Sequence, residues 1–202
     1  MSDRDTDTIG TTAPGHYGAG PAQVTLGCVT LTGAWNLQGN ARHASFAEKA
    51  RQPFGVALPQ MPNTTARSEA MTSLWLGPRS WLLVASGTSA LVDFEAKRDA
   101  VNTLRGALFD VSASRVAYRV AGSSAESVLA SGCSLDLHSR TFAPGGCAQS
   151  LYGQVNALYY RPDEAQAFIV MVARSFARDV WHALCLSAAQ YGYDVTPTVS
   201  FP

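Results

Sequence analysis

The chain has 202 residues, with 15 basic and 15 acidic side chains and a formal net charge of zero. Zero net charge, with no run rich in Lys or Arg, argues against a nucleic-acid-binding protein, because such proteins gain affinity by neutralising phosphates. Charged residues make up only 15% of the chain, against about 25% in typical soluble domains, which indicates that a partner protein covers part of the surface.

The first half of the chain is expected to begin with a tail and to continue as strand, helix, strand, strand, helix. Residues 1–22 are rich in Thr, Asp, Gly and Pro, and we expect a flexible tail. An apolar, partly alternating run from Val24 predicts the first strand. We predict a helix over 41–50 and a hairpin with its turn at 77–78. Apolar residues at three- and four-residue steps predict a helix over 89–108.

The second half repeats this order of elements with negligible sequence identity to the first. Alternating apolar residues over 115–120 predict a strand that ends at Gly122. The Ser-Ser-Ala-Glu run at 123–126 fits a capping box, which predicts the start of a short helix. Two strands are then predicted, over 148–160 and over 167–172.

The last helix is predicted to have Ser175 as its N-cap and Gly192 as its stop. Its buried stripe is expected to contain Phe176, Val180, Trp181, Leu184 and Ala188. Residues 193–202 are expected to form an extended tail.

Strands and helices that do not alternate regularly indicate an α+β fold. We therefore predict one domain over 23–192, made of two strand-helix-strand-strand-helix half-units that cover 23–108 and 109–192. Each half-unit is expected to be a small sheet with helices on one face, and the two are expected to pack together around one core.

The spacing of the cysteines and the lengths of the apolar segments indicate the cellular compartment of the protein. No apolar stretch reaches the roughly 18 to 20 residues that a membrane-spanning helix needs, and the polar, acidic N-terminus lacks the layout of a secretory signal. We therefore expect a cytoplasmic protein. The four cysteines are widely spaced, which favours small buried thiols over disulfides or a metal site: Cys28, Cys133, Cys147 and Cys185.

Motifs that mark common reactive or ligand-binding sites are absent from the sequence. It contains no G-x-S-x-G, no G-x-x-x-x-G-K-[ST] and no G-x-G-x-x-G. Its Gly-Gly pair at 145–146 follows Pro144 and precedes a strand, so we interpret it as a turn.

Two polar segments are candidate sites. Asp136 and His138 lie on the same side of an extended segment, which would suit an acid–base pair. We favour the structural alternative, in which Asp136 turns the backbone and Arg140 pairs with a carboxylate. In the run Asp-Val-Ser at 110–112, Asp110 is expected to end the preceding helix and to turn the chain into a strand.

The most specific feature of the sequence is the run Gly-Cys-Ser-Leu-Asp-Leu-His at 132–138, together with Ala-Arg-Ser-Phe-Ala at 173–177. With these runs, roughly residues 70 to 190 resemble the gamma subunit family of heterotetrameric sarcosine oxidases. The other matching stretches are Leu76–Leu83, Phe109–Ser112, Val128–Ser131, Phe142–Gly146 and Trp181.

The resemblance implies a fold related to the folate-binding region of aminomethyltransferases of the glycine cleavage T-protein type. It also implies a complex of four different subunits that oxidises sarcosine to glycine and hydrogen peroxide and, with tetrahydrofolate, forms 5,10-methylenetetrahydrofolate. FAD, FMN and NAD belong to the larger subunits of that complex, and the gamma subunit holds none. The partners implied are the alpha, beta and delta subunits, with alpha contacted most directly.

The chain departs from complete aminomethyltransferases in two ways. It is too short to carry their additional domains, and it has Ala-Ser-Arg at 113–115 where the T-protein type has His and Met. We therefore expect a non-catalytic subunit that binds no cofactor or metal itself. The alternatives are a stand-alone folate-binding protein or aminomethyltransferase-like enzyme, and a small regulatory interaction module. Candidate interface or structural residues are Asp110, Ser112, Asp136, His138, Arg140, Tyr152, Arg174, Phe176 and Trp181.

Overall fold

The computed structural model describes residues 12–40, 44–88, 93–164 and 166–202. Its strands, in chain order, are β1 (Gly15–Tyr17), β2 (Val24–Thr30), β3 (Ala34–Gln38), β4 (Thr65–Arg67), β5 (Met71–Gly77), β6 (Ser80–Ala85), β7 (Ala107–Asp110), β8 (Arg115–Ala121), β9 (Cys147–Tyr152), β10 (Val155–Tyr160), β11 (Ala167–Ala173), β12 (Tyr193–Val195) and β13 (Val199–Ser200). Its α-helices are α1 (Ala44–Phe54), α2 (Phe94–Thr103), α3 (Ala125–Ala130) and α4 (Ala177–Ala189). This mixture confirms the predicted α+β class.

The chain divides into two compact units whose boundaries differ from those of the predicted half-units. The first unit comprises Met1–Thr30, Ser114–Pro144 and Gln149–Val199, and the second comprises Leu31–Ala113, Gly145–Ala148 and Ser200–Pro202. The difference arises because β2 pairs antiparallel with β8, so the first predicted strand joins the sheet of the second half.

The first unit contains a sheet whose described strands are ordered β1-β12-β2-β8-β11-β10-β9, with β13 paired to β2. The predicted strand over 115–120 is confirmed by β8, which pairs antiparallel with both β2 and β11. Its Tyr118 donates a hydrogen bond of 2.8 Å to the Ala177 carbonyl at the start of α4. This face of the sheet is therefore fixed against that helix.

The second unit contains a sheet ordered β4-β5-β6-β3-β7. The predicted hairpin is confirmed by β5 and β6, which pair antiparallel on either side of the turn at 77–80. Trp35, Leu37, Trp81 and Leu83 are buried in a core with residues of α1 and α2. The indole N–H of Trp81 donates to the Pro59 carbonyl at 2.8 Å, so its buried polar group is satisfied.

Both predicted tails contain sheet residues. β1 pairs antiparallel with β12, and the rings of Tyr17 and Tyr193 stack 5.5 Å apart. The expectation of flexibility over 1–22 is therefore wrong at 15–17, while residues 1–11 lie outside the described part of the chain. These pairings join the two ends of the sequence, and no local pattern reports such a long-range partner.

Both helices predicted in the first half differ in their bounds from the structure, and the one expected over 41–50 extends to Phe54 as α1. The helix expected over 89–108 is α2, which ends at Thr103, and Leu108 instead lies in β7, paired with Leu37 of β3. Residues 89–92 of that prediction, and 41–43 of the helix predicted over 41–50, lie outside the described residues. The predicted element order also lacked β3 and β4, which are too short to give a clear periodic signal.

The second half differs from its prediction at three points, two of them before the last helix and one at the start of that helix. The strand expected over 148–160 is the hairpin of β9 and β10, because Gly153 adopts a φ of 60° and reverses the chain. The capping box is wrong: no side chain caps α3, and Ser124 instead donates to the Gln23 side chain at 2.9 Å.

The last helix begins at Ala177, after a 3-10 turn over Arg174–Phe176, so Ser175 is not its N-cap. Of the predicted stripe, four residues are buried, but Phe176 is 45% exposed because it precedes the first helical turn.

Candidate functional site

Asp136 organises the loop that carries the most specific run of the sequence. One carboxylate oxygen accepts the backbone N–H of His138 at 3.0 Å, and the other accepts the Thr141 hydroxyl at 2.8 Å. These hydrogen bonds lower the pKa of the exposed Asp136 carboxyl, the Thr141 bond contributing most. The His138 Nδ1 accepts the backbone N–H of Arg140 at 3.3 Å. The structure therefore places Asp136 in a backbone turn, with the His138 ring directed to the loop rather than to that carboxylate.

Arg161 anchors this loop through its backbone carbonyls, and it is not among the predicted site residues. Its Nη1 donates to the carbonyl oxygens of Leu137 and Phe142 at 3.1 and 3.0 Å. The same nitrogen lies 3.5 Å from a Glu126 carboxylate oxygen, and the guanidinium lies 5.0 Å from the centre of the Phe168 ring. Arg161 is only 5% exposed. A buried guanidinium with these partners holds both ends of the loop to the sheet.

No motif could have revealed Arg161, since the sequence shows only an Arg-Pro pair after an apolar strand. Such a pair is also typical of an ordinary turn. Its hydrogen-bond acceptors are the backbone carbonyls of residues 137 and 142. Every residue has such a carbonyl, so the sequence does not indicate which ones Arg161 binds.

Asp110 and Ser112 form a separate polar cluster in the second unit. One Asp110 carboxylate oxygen accepts the Ser112 backbone N–H at 2.9 Å and the Ser112 hydroxyl at 2.6 Å. The Ser112 oxygen in turn accepts the Ala34 backbone N–H at 2.8 Å. Asp110 therefore ends strand β7, not a helix as predicted, and the cluster ties the end of β7 to the start of β3.

The remaining predicted site residues lie in different environments of the first unit. Tyr152 is buried and its hydroxyl donates to Ser187 at 3.3 Å. Trp181 is also buried, with its ring centre 5.3 Å from that of Tyr118. Arg140 and Phe176 are exposed, and Arg174 is partly buried. Tyr152 and Trp181 are thus core residues of the chain, whereas Arg140 and Phe176 lie at its surface.

A groove of about 430 Å³ lies on the hairpin of β9 and β10. It is lined by Arg115, Gln149, Ser150, Leu151, Asn156, Ala157 and Leu158. Leu151, in β9, is 46% exposed. The groove therefore combines one guanidinium, side-chain amides and an exposed apolar surface.

The thiols have a structural environment, as their spacing predicted. Cys28, Cys133 and Cys147 are buried and Cys185 is partly buried, and all four are free. Burial raises the pKa of both Cys28 and Cys147 to about 11. In the described residues, no group of three His, Cys, Asp or Glu side chains is arranged to hold a metal ion. Every helix of the described residues is too short or too polar to cross a bilayer.

We expect Cys28 and Cys147 to resist alkylation in the folded chain. A thiol with a pKa near 11 is almost entirely protonated at pH 8, and the thiolate is the reactive form. Mass spectrometry after a short iodoacetamide pulse at pH 8 should find both unmodified, and both alkylated when urea is included. Modification of either at its unfolded rate in native buffer would contradict the buried positions.

Comparison with known proteins places the chain in a family. The model of the sarcosine oxidase, gamma subunit family matches residues 38–190. The chain belongs to this family. A sarcosine oxidase subunit gamma from Corynebacterium sp. (strain U-96) is 30% identical to this gamma-family chain over 177 residues, which are 86% of this chain and 83% of that protein. One from Arthrobacter sp. is 28% identical over 172 residues, covering 85% of this chain and 80% of its own length.

Solved structures agree with the family assignment. The chain is 26% identical to a chain of the heterotetrameric sarcosine oxidase from Corynebacterium sp. U-96 in complex with pyrrole 2-carboxylate, with a TM-score of 0.78 over 87% of this chain and 88% of that one. The glycine cleavage system aminomethyltransferase T from Bartonella henselae gives a TM-score of 0.59 at 15% identity, over 88% of this chain and 48% of that one. The second match shows a shared fold alone. Both the gamma-family resemblance and the aminomethyltransferase-like fold expected from the sequence are confirmed.

Proposed function

We propose that this chain is the gamma subunit of a heterotetrameric sarcosine oxidase, to which it contributes structure and subunit contacts rather than reactive groups. The observation that carries the proposal is the match to one chain of the Corynebacterium complex over nearly the whole length of both chains. A domain borrowed by an unrelated protein would match part of a longer chain, as the aminomethyltransferase comparison does.

The complex would oxidise sarcosine to glycine and pass the two electrons to oxygen, which forms hydrogen peroxide. With tetrahydrofolate, the methyl carbon of sarcosine would leave as 5,10-methylenetetrahydrofolate. FAD, FMN and NAD would be bound by the larger subunits, and the alpha subunit would be the most direct partner of this chain. The absence of a G-x-G-x-x-G run supports the view that this chain does not itself hold a dinucleotide.

The local geometry supports a non-catalytic role. Both oxygens of the Asp136 carboxylate are engaged, one by a backbone N–H and the other by a hydroxyl, and one oxygen of Asp110 is engaged by both groups of Ser112. A carboxylate that acts as a general base needs an oxygen aimed at a substrate proton. Both acidic residues that suggested chemistry instead fix turns, which favours a subunit role over a stand-alone folate enzyme.

We also propose that the complex is located in the cytoplasm.

The proposal predicts that this chain assembles with flavin-containing subunits. An affinity-tagged copy, co-expressed with the alpha, beta and delta subunits, should purify as a stoichiometric complex that consumes oxygen when sarcosine is added. Omitting this chain should reduce the yield of assembled enzyme, because the surface it covers on its partner would be left exposed. Recovery of the tagged chain alone, with the other three subunits assembled and fully active without it, would overturn the proposal.

A further inference from the structure

Arg115, the first residue of β8, has no acidic partner among the described residues, unlike two other arginines of the first unit. Arg119, two residues further along the same strand, pairs with Glu164, and Arg161 pairs with Glu126. In the described part of the chain, no carboxylate forms an ion pair with Arg115, although its side chain is partly buried. Burial lowers the pKa of this guanidinium, with no offsetting negative charge nearby. A desolvated cation of this kind is stabilised when a ligand supplies an anion.

The surroundings of Arg115 indicate the form of that ligand. Arg115 lies opposite Ala173 in the pairing of β8 and β11, and the small side chain of Ala173 leaves room on the sheet surface. The groove continues from Arg115 across the β9 and β10 hairpin to the exposed Leu151. A ligand that fills it therefore needs an anionic group at one end and an apolar group at the other.

We propose that this groove receives an extended segment of a partner subunit, with an Asp or Glu side chain paired to Arg115 and an apolar side chain packed on Leu151. The inference rests on the proposed function, since the segment belongs to another subunit of the complex. β9 is the last strand in the described path of its sheet, so among the described residues no further named strand lies beside the Leu151 end of the groove. A small free anion would satisfy Arg115 but would leave Leu151 exposed.

The test compares the affinity of full-length variants for the complex of the other three subunits. Arg115→Glu should weaken binding at least tenfold, since it places a negative charge against the partner's carboxylate. Leu151→Asp should weaken binding to a similar extent, whereas Arg67→Glu, which reverses an exposed charge on β4, should have little effect. Circular dichroism of each free chain verifies folding. Because Glu is destabilising at a partly buried position, Arg115→Gln serves as a milder variant and should reduce the salt dependence of binding.

The outcomes separate the two proposals. If the wild-type chain does not bind the other subunits, the proposed function fails. If the wild-type chain binds and Arg115→Glu, Arg115→Gln and Leu151→Asp bind equally well, the groove is not the docking site and this inference fails. The remaining case is that the groove binds a small free carboxylate. Titration of the free chain with sodium glutamate, followed by NMR of the arginine side chains, tests it. Saturation below millimolar concentration, lost in Arg115→Gln while subunit affinity is unchanged, would assign the groove to a small carboxylate and overturn the inference.

Discussion

Replacing Arg161 with methionine is expected to lower the free energy of unfolding by about 2–4 kcal/mol, because two carbonyl oxygens lose their donor. Those oxygens belong to Leu137 and Phe142, at 3.1 and 3.0 Å from the Arg161 Nη1. Methionine retains most of the length and apolar volume of the arginine stem, so packing against Phe168 is largely preserved. The loss then reports the hydrogen bonds rather than a cavity.

Urea denaturation of the chain, followed by circular dichroism, measures this effect. The matched control is Arg119→Met, because Arg119 also pairs with a glutamate, but Glu164 is exposed and its ion pair is worth less than about 1 kcal/mol. Limited proteolysis supplies a local readout, since release of the loop over 136–142 should speed cleavage there in Arg161→Met alone. Equal stability losses in both variants, with unchanged cleavage of the loop, would show that Arg161 does not anchor it.

The elements that the sequence predicted well are those whose hydrogen-bond partners are close in the chain or whose pattern is strictly periodic. The hairpin of β5 and β6 is closed by its Gly-Pro turn, and turn chemistry is local. β8 was identified because Val116, Tyr118 and Val120 alternate with residues of the opposite face. In both cases the information lies within the segment itself.

The errors occur where a distant partner decides the structure. Leu108 fits the apolar spacing of the preceding helix, but pairing with Leu37 across β3 and β7 makes it a strand residue. The segment at 15–17 has the composition of a glycine-rich tail, but it forms a strand because it pairs with Tyr193 and its neighbours. Strand formation depends on such cross-strand contacts more than on intrinsic preference.

The same reasoning applies to the candidate site. The run at 132–138 identified the family, and the acidic residue in it was correctly interpreted as a turn former. The partner that fixes this loop, Arg161, binds through backbone carbonyls, which carry no residue identity. That no described carboxylate pairs with Arg115 is likewise a property of its neighbours in space, which its own position in the sequence does not show.

Trp181 and Phe176 are expected to respond very differently to truncation, although both were predicted as core or contact residues. Trp181→Ala should cost about 3–5 kcal/mol of unfolding free energy, because it removes a large buried ring. The Trp181 ring packs 5.3 Å from Tyr118, and its indole N–H donates to the Thr12 hydroxyl at 3.1 Å. Phe176→Ala should change the stability of the free chain by no more than about 0.5 kcal/mol, because nearly half of that side chain is already in water.

Binding to the other subunits should show the opposite order. Exposed aromatic side chains are common anchors of protein interfaces, so Phe176→Ala should weaken assembly while leaving the free chain folded. Trp181→Phe is the matched variant: it retains an aromatic ring in the core, loses the hydrogen bond to Thr12 at a cost of about 1 kcal/mol, and should assemble normally. Urea denaturation of the free chains and subunit affinity, measured on the same preparations, separate the two effects. If Phe176→Ala destabilises the free chain as strongly as Trp181→Ala and binds its partners unchanged, then Phe176 belongs to the core of this subunit and not to its contact surface.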